Sequence, residues 1–343
     1  MLDFRAMQRR NALILAAMLV AVPLGAATVY STHTLPLANS GSGLAMDYIA
    51  YDRSTGMVWA PVSNTGTLYI VDTKTEDVKK IEGLPTKEVE FRGNKRTIGP
   101  SAAFAGKHVV YVGSRGDQSV CAYDAVSFAK VACGTLDSMP DGVMYVESTN
   151  EVWVTTPRDK SIRILDAKTL AQKAKLTFEG NPEGFTVDAK RHRFFTNLEN
   201  KDLTLGIDLK TRKTVSTWKP NCGPEGPHGI HADPARGQVL VVCDAKLELF
   251  DRGGHIVSSV DTGDGVDDFD YEPASHTAYV GAAKDAKLTI AKADARGRLT
   301  IVAQVPTEKG ARNPVVTKTG TIYLAHSGNA ALNDLFVVVP SSK

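Results

Sequence analysis

The stretch Asp141-Gly-Val-Met-Tyr-Val146, followed by Glu151-Val-Trp-Val154 and then Ile162-Arg-Ile-Leu-Asp-Ala-Lys-Thr169, is the key to the architecture. Each segment is a short run rich in β-branched and aromatic residues, and each is bounded by turn-forming residues, so each reads as a strand. The third run ends at Asp166, where an Asp-x-x-Thr turn leads into a fourth strand. A single unit of this kind is an isolated sheet that could not bury its own faces.

The unit recurs along the chain. Asp47-Tyr-Ile-Ala-Tyr-Asp52 leads to Met57-Val-Trp-Ala60 and Leu68-Tyr-Ile-Val-Asp-Thr-Lys-Thr75. Glu183-Gly-Phe-Thr-Val-Asp188 leads to Arg193-Phe-Phe-Thr-Asn197 and Leu205-Gly-Ile-Asp-Leu-Lys-Thr211. Further copies open at His228 and Asp267, a weaker one near Pro100, and the last at Asn313. Starts at 47, 100, 141, 183, 228, 267 and 313 are separated by 39 to 53 residues. Four strands per ~40–50 residues is the spacing of a β-propeller blade. Apolar and polar residues alternating within each strand would fit a blade packed between its neighbours.

Closure supports seven blades. The seventh unit has room for three strands, ending at Leu335-Phe-Val-Val-Val339. Thr28-Val-Tyr-Ser-Thr-His-Thr-Leu35 is a strand with no unit of its own, and it can supply the missing outer one. The fold class is therefore all-β, a seven-bladed β-propeller over residues 28–343 whose last blade is completed by the N-terminal strand. The long first spacing holds an insertion near 85–99 that carries Lys87, Arg92, Lys95 and Arg96 and reads as a solvated loop, or as one that touches a ligand.

Residues 1–27 differ in kind from the rest. Arg9 and Arg10 precede an apolar run from Ala12 to Val22, and Pro23 and the small residues Gly25, Ala26 and Ala27 follow. This is the pattern of a secretory signal peptide cleaved after Ala27, the alternative being a retained anchor. After cleavage no stretch is long and apolar enough for a stable membrane span. Export to the periplasm or beyond suits the four cysteines, Cys121, Cys133, Cys222 and Cys243, for which sequence-near disulfides 121–133 and 222–243 are preferred. Residues 1–27 hold Arg5, Arg9, Arg10 and Asp3, so the remainder carries 37 charges of each sign. A neutral chain has no general pull toward nucleic acid or an anionic membrane. No P-loop, dinucleotide fingerprint, nucleophile elbow or HExxH motif is present.

Tyr111-Val-Gly-Ser114 and Tyr279-Val-Gly-Ala282, with the Asp-x-Lys-Thr turns at Asp72, Asp166 and Asp208, resemble YVTN-type propeller repeats. With the signal peptide, the chain is similar to YncE-like periplasmic proteins. The resemblance implies the fold and leaves the activity open, since related propellers include binding proteins, surface-layer components, lactonases and lyases. Single-stranded DNA binding enters as a function the resemblance suggests.

The repeat itself points to a site. First strands of propeller blades line the central channel, so equivalent residues form a ring: Asp47, Pro100, Asp141, Glu183, His228, Asp267 and Asn313. Like charges gathered in a narrow mouth need a cation, bound protons or screening by water and basic groups. A divalent cation (Ca²⁺, Mg²⁺ or Zn²⁺) held by Asp141, Glu183, His228 and Asp267 is one solution, similar to the central metal of gluconolactonase- and lyase-type propellers. Loops on the same face carry Arg115 and Arg158, placed to clamp an anionic ligand, and His326. The leading reading is a module that binds a small molecule, peptide or protein at the channel mouth. A metal-dependent lactonase or lyase is the alternative, and no nucleophile or other catalytic residue is identifiable.

Overall fold

The computed structural model describes residues 28–37, 43–91, 93–327 and 333–341. The segment read as a signal peptide and Arg92 lie outside the described residues. Seven four-stranded antiparallel sheets and one two-stranded hairpin make up the architecture. Numbered along the chain, blade 1 spans 50–81, blade 2 100–135, blade 3 143–177, blade 4 182–218, blade 5 230–261, blade 6 266–306 and blade 7 311–341. The first strands of successive blades touch in a closed cycle, with blade 7 returning to blade 1. Val29–Pro36 pairs antiparallel with Asp334–Ser341, from Val29 opposite Ser341 to Pro36 opposite Asp334, so the N-terminal strand completes blade 7 as its sequence suggested.

The turn that marks the repeat has a local cause. Asp166 Oδ1 accepts the N–H groups of Lys168 at 3.0 Å and Thr169 at 2.9 Å, and the Thr169 hydroxyl at 3.1 Å. Leu170 then closes the turn with a left-handed backbone, φ 57°, donating its N–H to the Asp166 carbonyl. Asp208, Thr211 and Arg212 (φ 59°) repeat the arrangement in blade 4. An aspartate that satisfies three donors makes the turn before any distant contact forms.

The alternation expected within every strand is lost in the middle strands, while Pro182–Asp188 at the channel and the outer strands keep it. Val152 and Val154 pack against Tyr111, Val120 and Ala122 of blade 2. Trp153 and Ile164 face the other way, onto Phe194 and Ile207 of blade 4, with the Trp153 and Phe194 rings stacked 4.5 Å apart. Both faces of a middle strand are buried between blades, so both faces are apolar. Outer strands such as Lys130–Thr135 and Gln172–Thr177 have one partner fewer and alternate between exposed and half-buried positions.

The insertion is a β-hairpin rather than a loop. Lys87–Phe91 pairs with Asn94–Ile98. Its stem sits hard on blades 1 and 2: a Cβ at Gly66 (φ 63°) would lie 2.3 Å from the Leu84 carbonyl oxygen, and one at Gly116 2.3 Å from that of Pro85. Only glycine allows that approach. The disulfides are Cys121–Cys133 and Cys222–Cys243, the preferred pairing. The first joins directly opposed residues in blade 2, away from the channel. The second ties the link into blade 5 to the end of its second strand. No helix of the described residues is long and apolar enough to cross a membrane.

Candidate functional site

The first strands bring their opening residues to one end of the channel, where blades 2 and 7 each add an arginine. Arg115, just after the second strand of blade 2, donates to Asp47 Oδ2 at 2.7 Å and to Asp141 Oδ1. It therefore links the residue before blade 1 to the one before blade 3. Arg312 lies beside the bulge in the first strand of blade 7. Its Nη1 is 3.0 Å from Asp267 Oδ2 and its Nη2 3.6 Å from Asp47 Oδ1. Asn313 adopts a left-handed backbone, φ 47°, which Asn tolerates better than most residues. Its amide donates to Asp267 Oδ2 at 2.8 Å and Asp47 Oδ1 at 3.2 Å, and its side-chain carbonyl accepts from the Asp268 N–H at 3.0 Å. Two guanidiniums and one amide thus join blades 6, 7, 1, 2 and 3 around the mouth.

The charges sort accordingly. Burial pushes the Asp47 carboxyl up, but Arg115 and Arg312 outweigh it and hold it below the usual carboxylate range. Asp141 is raised, because burial and the neighbouring Asp47 exceed what the single Arg115 returns. Its Oδ2 is buried with no hydrogen-bond partner among the described residues. Burial opposes the charge on both arginines, yet the aspartates hold both above the ordinary guanidinium range.

Blades 4 and 5 have no arginine of this kind. Glu183 is pushed well above its usual range, first by burial and then by Asp141, Asp267 and Glu199. The Tyr48 hydroxyl donates to Glu183 Oε1 at 3.4 Å. His228 Nδ1 lies 3.7 Å from Glu199 Oε1, and the Asn197 amide donates to the His228 carbonyl at 2.5 Å. The mouth therefore has an arginine-bridged arc and an arc of protonatable acids beside one imidazole.

Two residues singled out in the sequence take no part in the arginine–aspartate network of the mouth. His326 is completely buried, with Nδ1 2.5 Å from Asp334 and Nε2 3.3 Å from the Lys309 carbonyl oxygen. It links strands of blade 7 and is not available at the mouth, because blade packing leaves its ring no open side. Arg158 is exposed and forms no ion pair among the described residues. It lies close enough to Arg96 of the hairpin for its charge to act there. Arg96 is lowered by partial burial, then by Arg115 and Arg158. Arg96, Thr97 and Ile98 form one wall of a recess of about 510 Å³ whose other charged residues are Asp47, Arg115 and Arg312.

The donor set does not fit the expected cation. Asp47, Asp141 and Asp267 already have guanidinium partners, His228 is turned to Glu199, and no three His, Cys, Asp or Glu side chains among the described residues converge as ligands. Sequence reasoning found the carboxylates but missed Arg312, Glu199 and Tyr48. Arg312 and Tyr48 each adjoin a ring residue in the chain, and that adjacency was the available signal.

No family model matches the chain, and no curated protein matches it. Solved structures match it over nearly their whole length. A chain of a mitotic checkpoint complex has a TM-score of 0.69 at 14% identity, covering 97% of this chain and 98% of that one. Kuenenia stuttgartiensis hydrazine synthase has a TM-score of 0.71 at 13% identity, covering 90% and 98%. A streptogramin B lyase has a TM-score of 0.68 at 14% identity, covering 91% and 98%. The chain is a β-propeller. At these identities the likeness extends to the fold alone, and a function has to be read from the site.

Proposed function

We propose that this propeller is a binding module for a compact anionic ligand, held at the arginine-lined mouth of its channel. One observation carries the reading: Arg96, Arg115 and Arg312, from three separate elements, line a single recess in which Asp47 is the one carboxylate among the described residues. Arg96 gives up proton affinity to burial and to Arg115 and Arg158. A carboxylate or phosphate placed among them relieves that crowding and offers planar bidentate pairing. Arg115 and Arg312 are already fixed by buried partners, so little ordering is needed on binding. Placement among YVTN-type, YncE-like exported propellers, in the periplasm or outside the cell, is supported by the repeats, by the signal-like first 27 residues and by two disulfides.

Thermal shift at constant ionic strength, with citrate and inorganic phosphate as probes, tests the reading. A saturable rise in Tm is expected, reduced at least tenfold in apparent affinity by Arg96→Gln or Arg158→Gln. A rise no larger than sodium chloride gives, or one unchanged in both variants, would remove it. Oligonucleotide binding that weakens steeply with salt and depends on Lys87 and Lys95 would instead favour single-stranded DNA.

A further inference from the structure

Beyond the arginine layer, further along the first strands, lies a smaller cavity of about 260 Å³ with the reverse chemistry. The half-buried rings of Phe104 and Phe185 and the side of Tyr48 form an aromatic wall, with the Tyr48 and Phe185 centroids 5.9 Å apart. Asp268 and Asp270, two residues apart in the first strand of blade 6, also line it. Asp270 is satisfied, its carboxylate accepting the N–H groups of Tyr271 at 2.8 Å and Val316 at 2.6 Å. Asp268 is not: among the described residues its carboxylate forms no ion pair and no hydrogen bond to another side chain, its help coming from the Phe269 N–H. The basic lining residue is Arg53, already paired with Glu272, and the imidazole is His231, set edge-on to Phe269 at 4.8 Å.

We infer that this lower cavity is a second ligand site, built for a compact organic ammonium ion anchored on Asp268 and cradled by the aromatic wall. A carboxylate facing a low-dielectric cavity without a partner is costly unless it is protonated or paired. Burial, followed by Asp267, Asp270 and Asp47, raises the Asp268 carboxyl well above its usual range, and an ammonium group would restore its charge. Aromatic faces attract the same cation. A metal ion is the poorer match, since the wall offers rings where a metal needs further oxygen or nitrogen ligands. An anion would meet the two carboxylates, with the single guanidinium already engaged. The Arg53–Glu272 pair joins blade 1 to blade 6 beside the cavity, and a partly exposed pair of this kind contributes little stability. This cavity shares no lining residue with the anion recess, which lies on the other side of Asn313.

Calorimetric titration of the intact protein with benzylammonium chloride and with its neutral counterpart benzyl alcohol tests it. Benzylammonium is expected to bind at least tenfold more tightly, and Asp268→Asn to abolish the difference. The comparison of two ligands on the unaltered protein needs no variant to fold. Equal affinities, no binding of either, an Asp268→Asn affinity within twofold of the original, or loss of binding in the mouth variant Arg96→Gln would each overturn the inference.

Discussion

The two ends of the channel are lined by the same seven strands and yet solve the charge problem in opposite ways. At the mouth, Asp47 and Asp267 meet Arg115 and Arg312, and the Asp47 carboxyl is held low. Across the mouth Glu183, and one layer further in Asp268, have no cationic partner among the described residues and are pushed up instead. The strands set where the acids sit. Residues added from outside the regular repeat, a turn arginine and a bulge arginine, together hold Asp47 low, whereas Asp141, with the turn arginine alone, is still raised. A symmetric ring of strands therefore need not make a symmetric site.

The strongest test of this contrast is Arg115→Ala. It leaves Asp47 and Asp141 without their shared cation, and a loss of about 3–5 kcal/mol in denaturant unfolding at neutral pH is expected. Adding Asp141→Asn should return part of it. Asp268→Asn, at the other end, should cost nothing comparable, and equal costs at both ends would refute the contrast.

Titration separates the same groups by sign. Glu183, Asp141 and Asp268 are raised in the folded state, so the stability they contribute is present below their unfolded values and is lost as pH rises through the folded ones. Asp47 is lowered, so its contribution is present above its unfolded value and is lost as pH falls through the folded one. Unfolding free energies followed from mildly acidic to neutral pH should therefore decline less steeply in Asp268→Asn. The difference should be roughly 1.4 kcal/mol for every factor of ten by which folding strengthens proton binding at Asp268. An unchanged slope would show that Asp268 does not titrate there.

Tyr48→Phe probes the junction of the two regions. It removes a long hydrogen bond to Glu183, and a loss of roughly 0.5–1 kcal/mol is expected by the same measurement. Arg158→Gln should perturb the fold least. The side chain is exposed, so stability should stay within about 0.5 kcal/mol while anion binding weakens. A large stability loss would mean that Arg158 belongs to the scaffold rather than to the ligand.

Much of this molecule could be read in advance because its rules are local. The Asp166 and Asp208 turns satisfy their donors within a few residues, and Val29–Pro36 is visible as a strand lacking a blade. The ring of Asp47, Asp141, Glu183, His228, Asp267 and Asn313 followed from repeat position alone. The hairpin at 87–98 was missed because its seating depends on Gly66 and Gly116, far from it in the turns of other strands. His326 was misread as a mouth residue because its burial arises from neighbours that the repeat does not specify.

Chain order and residue type, through hydrogen bonds and side-chain periodicity that act over a few residues, determined the blade, the number of blades and the closing strand. Which acids are paired, which are pushed toward the protonated form, and how the channel divides into an arginine-bridged arc and a set of unpaired acids were settled only in three dimensions. Electrostatic energy depends on distance through space and on exclusion of water, and neither quantity is encoded in separation along the chain.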